Sequence, residues 1–286
     1  SAFSVVIGQI PVAVIDLDQN KNSGPVMLES LQSNNIYAQY LTAIPADLSG
    51  YQSLFVSLGT GSKKHVLSSA QGQLLANFLN NGGKLYMEGG DTWYYDPKTA
   101  VHSLFMINGI MDGSNDLSIE LGQTGSFTEG LTLSYEGDND FIDHIAPTGT
   151  AFSVYKNNSP YYITAVAYAG SNYKTIGSSF EFGGLVNGDF PATRNEYMLR
   201  IIEFFGILAS PLNANFIAQP ATICDGGSAA FTDYSIFCVS SWEWSFPGGE
   251  PATSTDQNPV VVYAAPGAYD VSLTIGNGTT TNTLFK

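Results

Sequence analysis

The first part of the chain alternates short apolar runs with segments of helical periodicity. Residues 12–16, 53–57 and 84–88 are short runs rich in apolar residues, typical of strands buried on both faces of a sheet. Between them, apolar residues recur at helical spacing in segments 23–31 and 69–79. Strands that alternate with helices are connected by right-handed crossovers and lie parallel in one sheet. The pattern therefore predicts an α/β domain with a doubly wound, mostly parallel sheet.

The same patterns predict more strands and one further helix. Apolar residues at helical spacing predict a closing helix over residues 194–205. We interpret residues 96–150 as an insertion into the domain. Short apolar or alternating runs predict additional strands at 36–40, 126–128, 131–135, 151–155, 163–168 and 174–180.

From about Pro211 onward the pattern is strand-like alone. In segment 242–246 large aromatic residues alternate with polar ones, which is the period of a half-buried strand. A second alternating strand, residues 269–275, follows a Pro266-Gly267 turn. Together with shorter runs in the same region, these strands predict a small β-sandwich. We therefore divide the chain into a domain at 1–210 and a domain at 211–286.

The two cysteines of the chain both lie in the second domain. Cys224 and Cys238 flank the predicted strand around Phe231. This proximity in sequence favours a disulfide between them, and disulfides are typical of proteins that function outside the cell.

The second domain resembles the polycystic kidney disease (PKD) type of immunoglobulin-like domain, in the form found in secreted Bacteroidetes proteins. The resemblance covers roughly residues 212–286. It implies a non-catalytic spacer or binding module of a secreted, multi-domain surface protein. The matching motifs are Phe231-Thr232-Asp233, Ser241-Trp242-Glu243-Trp244, Phe246-Pro247-Gly248-Gly249, Asn258-Pro259 and the turn at 266–271, together with the two cysteines.

The first domain resembles the class I glutamine-amidotransferase-like, flavodoxin-like fold over about residues 10–207. Segment 81–91 is similar to the part of that fold that carries the nucleophile elbow. The active enzymes have a cysteine there, whereas this chain has Glu88-Gly89-Gly90. The resemblance therefore implies an amidotransferase-like fold without its nucleophile, and it favours a protein that is not an enzyme.

Charge and composition exclude several partners. The chain has 10 Lys and Arg against 25 Asp and Glu, a formal charge of −15, so it lacks the basic surface that nucleic acids require. No apolar run approaches the roughly 18 residues of a membrane helix, and we expect no membrane span. The low charged content of 12% with 30 Gly and 16 Tyr favours a secreted or cell-surface protein. We expect the chain, which opens at Ser1, to be a piece of a longer protein.

Candidate ligand-binding residues follow from the rule that ligands bind beyond the carboxyl ends of strands in α/β sheets. The rule selects Asp16, Asp18, Glu88 and Asp91, and it brings in Trp93, whose ring could stack on a sugar. The alternative is that the two aspartates cap the following helix, that Glu88 accepts hydrogen bonds from loop amides and that the tryptophan belongs to the core.

A second candidate site is an acidic segment in the predicted insertion. Asp138, Asp140 and Asp143 lie close together in sequence, and such a cluster repels itself unless it is solvated or neutralised. Hard cations prefer oxygen ligands, so this segment is a candidate calcium site, and the alternative is a solvated acidic loop. The spacing departs from the twelve-residue calcium loop. No other cofactor is required by any motif.

Three hypotheses of function follow. The leading one is a non-catalytic segment of a secreted or cell-surface protein, acting in recognition, adhesion or positioning of neighbouring domains of the parent chain, with a glycan or a protein as its surface partner. The alternative is a glycan-directed or other hydrolase with catalytic carboxylates among Asp16, Glu88 and Asp91, since glycoside hydrolysis uses two carboxyl groups about 5 to 9 Å apart. The third is a structural subunit of an extracellular assembly that associates with itself by strand addition.

Overall fold

The computed structural model describes residues 11–207, 212–224, 226–235, 239–278 and 280–286. The chain divides into two compact units. The first comprises Ser1–Asn34 and Ala38–Leu208, and the second comprises Asn35–Tyr37 and Ala209–Lys286. None of the helices in the described ranges has the length and apolar character of a membrane span.

The first unit contains one large sheet and three α-helices among its described residues. The helices are α1 (Gly24–Ser33), α2 (Ser69–Asn80) and α3 (Arg194–Phe205). The strands are β1 (Val12–Asp16), β2 (Gln39–Leu41), β3 (Ser53–Ser57), β4 (Lys84–Glu88), β5 (Ile107–Met111), β6 (Ile119–Gly122), β7 (Thr132–Tyr135), β8 (His144–Pro147), β9 (Phe152–Asn157), β10 (Tyr162–Ala169), β11 (Lys174–Ser178) and β12 (Leu185–Val186).

The sheet is mixed. Its main path runs β12-β7-β6-β9-β10-β11-β4-β3-β1-β2, and β8 and β5 branch from β10. Strands β2, β1, β3, β4 and β11 are parallel neighbours, whereas every pairing from β11 through β10 to β12 is antiparallel. We call strands β2, β1, β3, β4 and β11 the parallel half of the sheet. Its central strands β1, β3 and β4 are the ones that the apolar runs at 12–16, 53–57 and 84–88 predicted.

The expectation of a doubly wound, mostly parallel sheet is wrong. Only four of the eleven strand pairings found among the described residues of this unit are parallel. The physical reason is the length of the connections. Four residues join β9 to β10 and four join β10 to β11, and links this short cannot cross over a sheet, so the strands return antiparallel. The interpretation of residues 96–150 as an insertion stays a prediction; β5 to β8 lie within that range and are part of the sheet.

Helices cover both faces of the parallel half. On one face, Leu75 and Leu79 of α2 pack with Ile15, Val56 and Met87 in a buried apolar cluster. On the other face, the ring of Phe55 lies 5.9 Å from that of Tyr86 and 6.1 Å from that of Phe205 in α3, between ring centroids. Helix α1 packs against α3 and β1. Both faces of these strands are therefore buried, as their continuous apolar sequences require.

The helix ends follow local sequence signals. Helix α2 begins with a capping box, in which the Ser68 side chain accepts from the Gln71 N–H and the Gln71 side chain accepts from the Ser68 N–H. It ends at Asn80, and Gly82 follows with a φ of 95°, a backbone conformation that favours glycine. The predicted bounds of α3 are confirmed, with Thr193 accepting from the Glu196 N–H at its start.

The second unit is a β-sandwich, as the sequence predicted. Its strands are β13 (Phe216–Gln219), β14 (Ser228–Asp233), β15 (Ser241–Ser245), β16 (Gly249–Glu250), β17 (Thr253–Ser254), β18 (Val260–Tyr263), β19 (Ser272–Gly276) and β20 (Thr281–Phe285). They form two sheets of order β13-β14-β18-β16 and β17-β15-β19-β20. Trp244 is fully buried between them, with its ring 5.5 Å from that of Phe246 and 5.1 Å from that of Phe216.

A buried glutamate in the first unit makes stability depend on pH. Glu120 in β6 is fully buried; the Thr164 hydroxyl donates to its Oε2 atom at 2.6 Å, and its Oε1 atom has no hydrogen-bond partner among the described residues. Burial raises the pKa of Glu120 to about 8, from an ordinary value of 4.5. The native state therefore keeps a proton that the unfolded chain releases between these two pH values.

We expect the free energy of unfolding to fall as the pH rises from 4.5 to 8, and Glu120→Gln to reduce this fall. Glutamine resembles the protonated acid and does not titrate. The free energy of unfolding of the variant therefore rises relative to that of the native protein by up to about 1.4 kcal/mol per pH unit within that window, and the difference stays constant outside it. Urea unfolding of the full chain across the window measures the difference. The same change at the exposed Glu29 of α1 should leave the pH dependence unaltered; equal slopes for the native protein and Glu120→Gln would contradict the prediction.

Candidate functional site

The carboxyl ends of the parallel strands are aligned by their register. Asp16 of β1 pairs with Ser57 of β3, Ser57 pairs with Glu88 of β4, and Glu88 pairs with Ser178 of β11. Two of the predicted ligand-binding residues, Asp16 and Glu88, thus end their strands at one level of the sheet. The segments that follow these strands leave the same edge and carry Asp18 and Asp91.

Asp16 is fully buried and held by neighbouring side chains. The Tyr40 hydroxyl donates to its Oδ2 atom at 2.6 Å, and Lys21 Nζ lies 3.7 Å from its Oδ1 atom. Burial raises the pKa of Asp16, while the hydrogen bond from Tyr40 and the charge of Lys21 act to lower it. Gly24 of α1 lies so close that an added Cβ would be 2.4 Å from Asp16 Oδ2. These contacts enclose the carboxyl group, although its Oδ1 atom has no hydrogen-bond partner among the described residues.

Glu88 is equally enclosed. Its Oε1 atom accepts from the Ser57 hydroxyl at 2.9 Å, and its Oε2 atom accepts from the Tyr86 hydroxyl at 2.9 Å and from the Phe182 N–H at 2.7 Å. Burial raises the pKa of Glu88 to about 7, and these donors limit the rise. Since both oxygens are occupied, Glu88 supports the loop at 180–184 and is not exposed to a ligand.

Asp18 and Glu181 form a buried pair of carboxyl groups. Neither side chain is exposed, and both carboxylate oxygens of Glu181 and the Oδ2 atom of Asp18 lack hydrogen-bond partners among the described residues. The pKa of Glu181 is raised to about 9, first by burial and then by the charges of Glu88 and Asp18. Asp18 Oδ1 also accepts from the Asn20 N–H at 3.3 Å. This pair belongs to the packed interior beneath the strand ends.

A pocket of about 360 Å³ opens at the loops that follow β3, β4 and β5. We call it the acidic pocket and define it by its lining side chains, Lys64, Asp91, Tyr95, Asp112, Asp140 and Phe141. Lys64 Nζ lies 2.6 Å from Asp91 Oδ2 and 2.8 Å from an oxygen of Asp96. Burial raises the pKa of Asp91, and the ion pair with Lys64 limits the rise.

Asp143 connects the acidic pocket to the segment after β4. Its Oδ2 atom accepts from the backbone N–H groups of Trp93 at 2.8 Å and Tyr94 at 2.7 Å, and its own N–H donates to the Gly90 carbonyl. The side chain is fully buried, and burial raises the pKa of Asp143 to about 7. One oxygen each of Asp91, Asp112 and Asp143 lies within 4.8 Å of the others.

The aromatic residues after β4 occupy different environments. Trp93 is 2% exposed, and its indole N–H donates to the Ser178 carbonyl at 2.8 Å. Its ring packs against that of Phe105, with centroids 4.9 Å apart, so it presents no free face to a sugar. Tyr95, two residues later, is 67% exposed at the pocket, and Lys64 Nζ lies 4.9 Å from its ring centroid.

The structure thus separates the predicted site residues into two groups. Asp16, Asp18 and Glu88 lie buried at the strand ends, and only Asp91 of this set lines the acidic pocket. Of the predicted calcium ligands, Asp143 lies beside Asp91, whereas Asp138 and Asp140 are outside that group of three.

Sequence reasoning missed Asp112 and did not assign Lys64 to the site. Asp112 directly follows β5, just as Asp16 closes the apolar run of β1. That position was the available signal for Asp112, but β5 itself was not predicted. The signal for Lys64 was its position in the loop after β3, but local sequence does not encode its pairing with Asp91, which lies 27 residues away.

The predicted disulfide involves a residue that the structure does not describe. Cys224 is exposed in the second unit, and Cys238 lies outside the described residues. The disulfide therefore stays a prediction.

The same unit contains a groove of about 690 Å³, lined mainly by apolar and aromatic residues such as Phe216 and Tyr263. The acidic pocket is the stronger candidate site because ionisable side chains converge on it.

Comparison with protein families identifies the second unit. Residues 210–284 match the PKD domain. The predicted PKD-type sandwich is confirmed, and PKD domains are typically extracellular. The PKD1 domain of Vibrio anguillarum Epp is 28% identical and covers 27% of this chain and 89% of its own length, with a TM-score of 0.23. No curated protein matches the chain in sequence.

Solved structures show that the fold of the larger part of the chain occurs elsewhere. The cold-adapted β-galactosidase from Rahnella sp. R3 is 10% identical with a TM-score of 0.51, and the match covers 90% of this chain and 41% of that one. The mmIFT52 N-terminal domain is 12% identical with a TM-score of 0.51, over 70% of this chain and 99% of its own length. At these identities the likeness concerns the fold alone. The chain spans less than half the length of that β-galactosidase.

These comparisons do not support two of the earlier expectations. Neither the amidotransferase-like resemblance of the first unit nor a Bacteroidetes source finds support in them. The likeness to a β-galactosidase agrees with the mixed sheet of the first unit, which is not a doubly wound, mostly parallel one.

We expect Tyr40→Phe to lower the free energy of unfolding by about 1 to 3 kcal/mol, because it leaves a buried carboxylate oxygen of Asp16 without its donor. Urea unfolding without any ligand measures the loss. Tyr51→Phe is the matched control: its hydroxyl donates at the same 2.6 Å, but to the uncharged Gln39 side chain, and it should cost less. If Tyr40→Phe were as stable as the native protein, the hydrogen bond from Tyr40 would not stabilise the buried carboxyl group of Asp16.

Proposed function

We propose that the chain is a segment of an extracellular, glycan-directed protein, in which the first unit binds a carbohydrate at the acidic pocket and the PKD domain positions that unit in a longer chain. The family match supports the extracellular part of this proposal, because PKD domains are typically extracellular and non-catalytic. Neighbouring domains of the parent protein would then be its further partners.

The observation that carries the proposal is the pairing of an exposed aromatic ring with carboxylates in one pocket. Tyr95 is 67% exposed and lines the pocket together with Asp91 and Asp112. A sugar has apolar CH faces that pack on an aromatic ring and hydroxyl groups that donate to carboxylates. Few large apolar side chains line the pocket, so its chemistry suits a polyhydroxylated ligand better than an apolar one.

The fold comparison is consistent with a carbohydrate ligand, but it does not show that this chain binds one. The Rahnella protein is a β-galactosidase, and its likeness to this chain concerns the fold alone. We therefore choose galactose-containing oligosaccharides as the first ligands to test.

We expect the full chain to bind a galacto-oligosaccharide or a β-linked galactan in isothermal titration calorimetry, and Tyr95→Ala to weaken the binding at least tenfold, about 1.4 kcal/mol, because the stacking face is lost. Tyr161→Ala is the matched control, since Tyr161 is 68% exposed and does not line the pocket. Equal losses of affinity in the two variants would argue against glycan binding at the acidic pocket. A complete lack of binding across a panel of soluble glycans would contradict the proposal.

Hydrolysis of a glycan is the second candidate function. It is favoured by one observation: Asp91, Asp112 and Asp143 each place an oxygen within 4.8 Å of the other two, and glycoside hydrolysis requires a pair of carboxyl groups that lie near each other. Of the three carboxylates named from the sequence, Asp91 belongs to this group, whereas Asp16 and Glu88 are enclosed by their donors and fit less well.

If the chain is a hydrolase, we expect release of nitrophenol from nitrophenyl galactosides and a loss of at least a hundredfold in kcat/KM for Asp112→Asn. Asp138→Asn is the control, because Asp138 neither lines the pocket nor belongs to the group of three carboxylates. Glycan binding that is retained without any turnover would leave recognition as the function and exclude this second candidate for the substrates tested.

A further inference from the structure

Three aspartates from separate segments of the chain meet beside the acidic pocket. Asp91 follows β4, Asp112 follows β5, and Asp143 precedes β8. One oxygen atom of each lies within 4.8 Å of the other two. We call these residues the aspartate triplet. Since they come together only in the folded chain, their approach is a property of the tertiary structure and not of a locally acidic sequence.

Carboxylate oxygens of the triplet lack donors although they are buried. Asp143 is fully buried; its Oδ2 atom accepts two backbone N–H groups, whereas its Oδ1 atom has no hydrogen-bond partner among the described residues. The Oδ1 atom of Asp112 is likewise buried and without a partner in the same part of the chain. A buried carboxylate oxygen without a donor is costly, and a coordinated cation removes that cost.

The charges around the triplet do not balance. Asp91 and Asp96 share the ammonium group of Lys64, and the ammonium group of Lys98 lies near Asp96 and Asp143. With Asp112, and with Asp140 of the pocket lining, five carboxyl groups thus face two lysines. The carboxyl groups outnumber the ammonium groups, and a bound cation would reduce the excess of negative charge. Lys64 bonds Oδ2 of Asp91, and a carboxylate has two oxygens, so one group can bind the lysine and a cation together.

We infer that Asp91, Asp112 and Asp143 bind a hard divalent cation, with calcium as the best fit. All three ligands are carboxylates, the class that calcium and magnesium prefer, and a set of three carboxylates exceeds the one or two that magnesium commonly uses. No histidine or cysteine belongs to the group, which disfavours zinc. Asp91 and Asp112 also line the pocket, through which water reaches the remaining coordination positions.

This site differs from the one that the sequence suggested. The acidic segment 138–143 predicted calcium on Asp138, Asp140 and Asp143, whereas the inferred site retains only Asp143 and adds two residues distant in sequence. The inference is independent of the proposed glycan function, because ion binding is measured without any glycan.

The test is calorimetric titration of the chelator-treated full chain with CaCl₂ and, separately, with MgCl₂ and ZnCl₂. We expect one calcium ion to bind per chain and to raise the melting temperature. Asp112→Asn should weaken calcium binding at least tenfold and reduce the calcium-dependent rise in melting temperature. Magnesium binding with the same dependence on Asp112 would also support the site.

Asp138→Asn is the matched control: it removes one carboxylate of the sequence-predicted set and none of the triplet, so it should leave calcium affinity within about twofold of the native protein. Asp143→Asn is a poorer choice because Asp143 also accepts two backbone N–H groups and the variant could misfold. Absence of calcium and magnesium binding would overturn the inference. So would binding that persists unchanged in Asp112→Asn, or binding of zinc alone.

Discussion

The register of the parallel strands is the constraint on which the first unit depends. Because Asp16, Ser57 and Glu88 are successive partners across β1, β3 and β4, these strands end at one level of the sheet. The segments after β3 and β4 therefore begin side by side, and this brings Lys64 to within 2.6 Å of Asp91. A shift of one residue in any of these strands would move its polar end to the opposite face and place an apolar side chain there.

The unit separates its acidic residues by their hydrogen-bond donors. Glu88 has a donor for each oxygen, and its role is to fix the chain around it. Asp112 and Asp143 each retain a buried oxygen without a donor among the described residues, beside a pocket open to solvent. Both oxygens of Glu88 are thus satisfied within the fold, whereas Asp112 and Asp143 each keep one oxygen that can still accept a donor or a cation.

Local sequence signals predicted the elements better than the way they assemble. Apolar runs predicted β3 and β4 with their observed bounds, and helical spacing predicted α3. Alternation in the segments that became β9 and β10 also predicted strands, but alternation does not specify the neighbouring strand, so their antiparallel pairing was missed. The position of Asp91 beyond β4 selected it for a site. Its meeting with Asp112 and Asp143 depends on the path of the chain between them, which no local pattern encodes.

The hydrogen bonds of Asp143 have a consequence for the dynamics of the acidic pocket. They join the segment after β4 to one that lies 50 residues further along the chain, so neither wall can move far without breaking bonds to the other. The walls are therefore ordered on folding and not on ligand arrival. Association loses free energy when loops must be immobilised, and that loss is small for a preorganised site. A small ligand would then lose little of its binding free energy to the ordering of these segments.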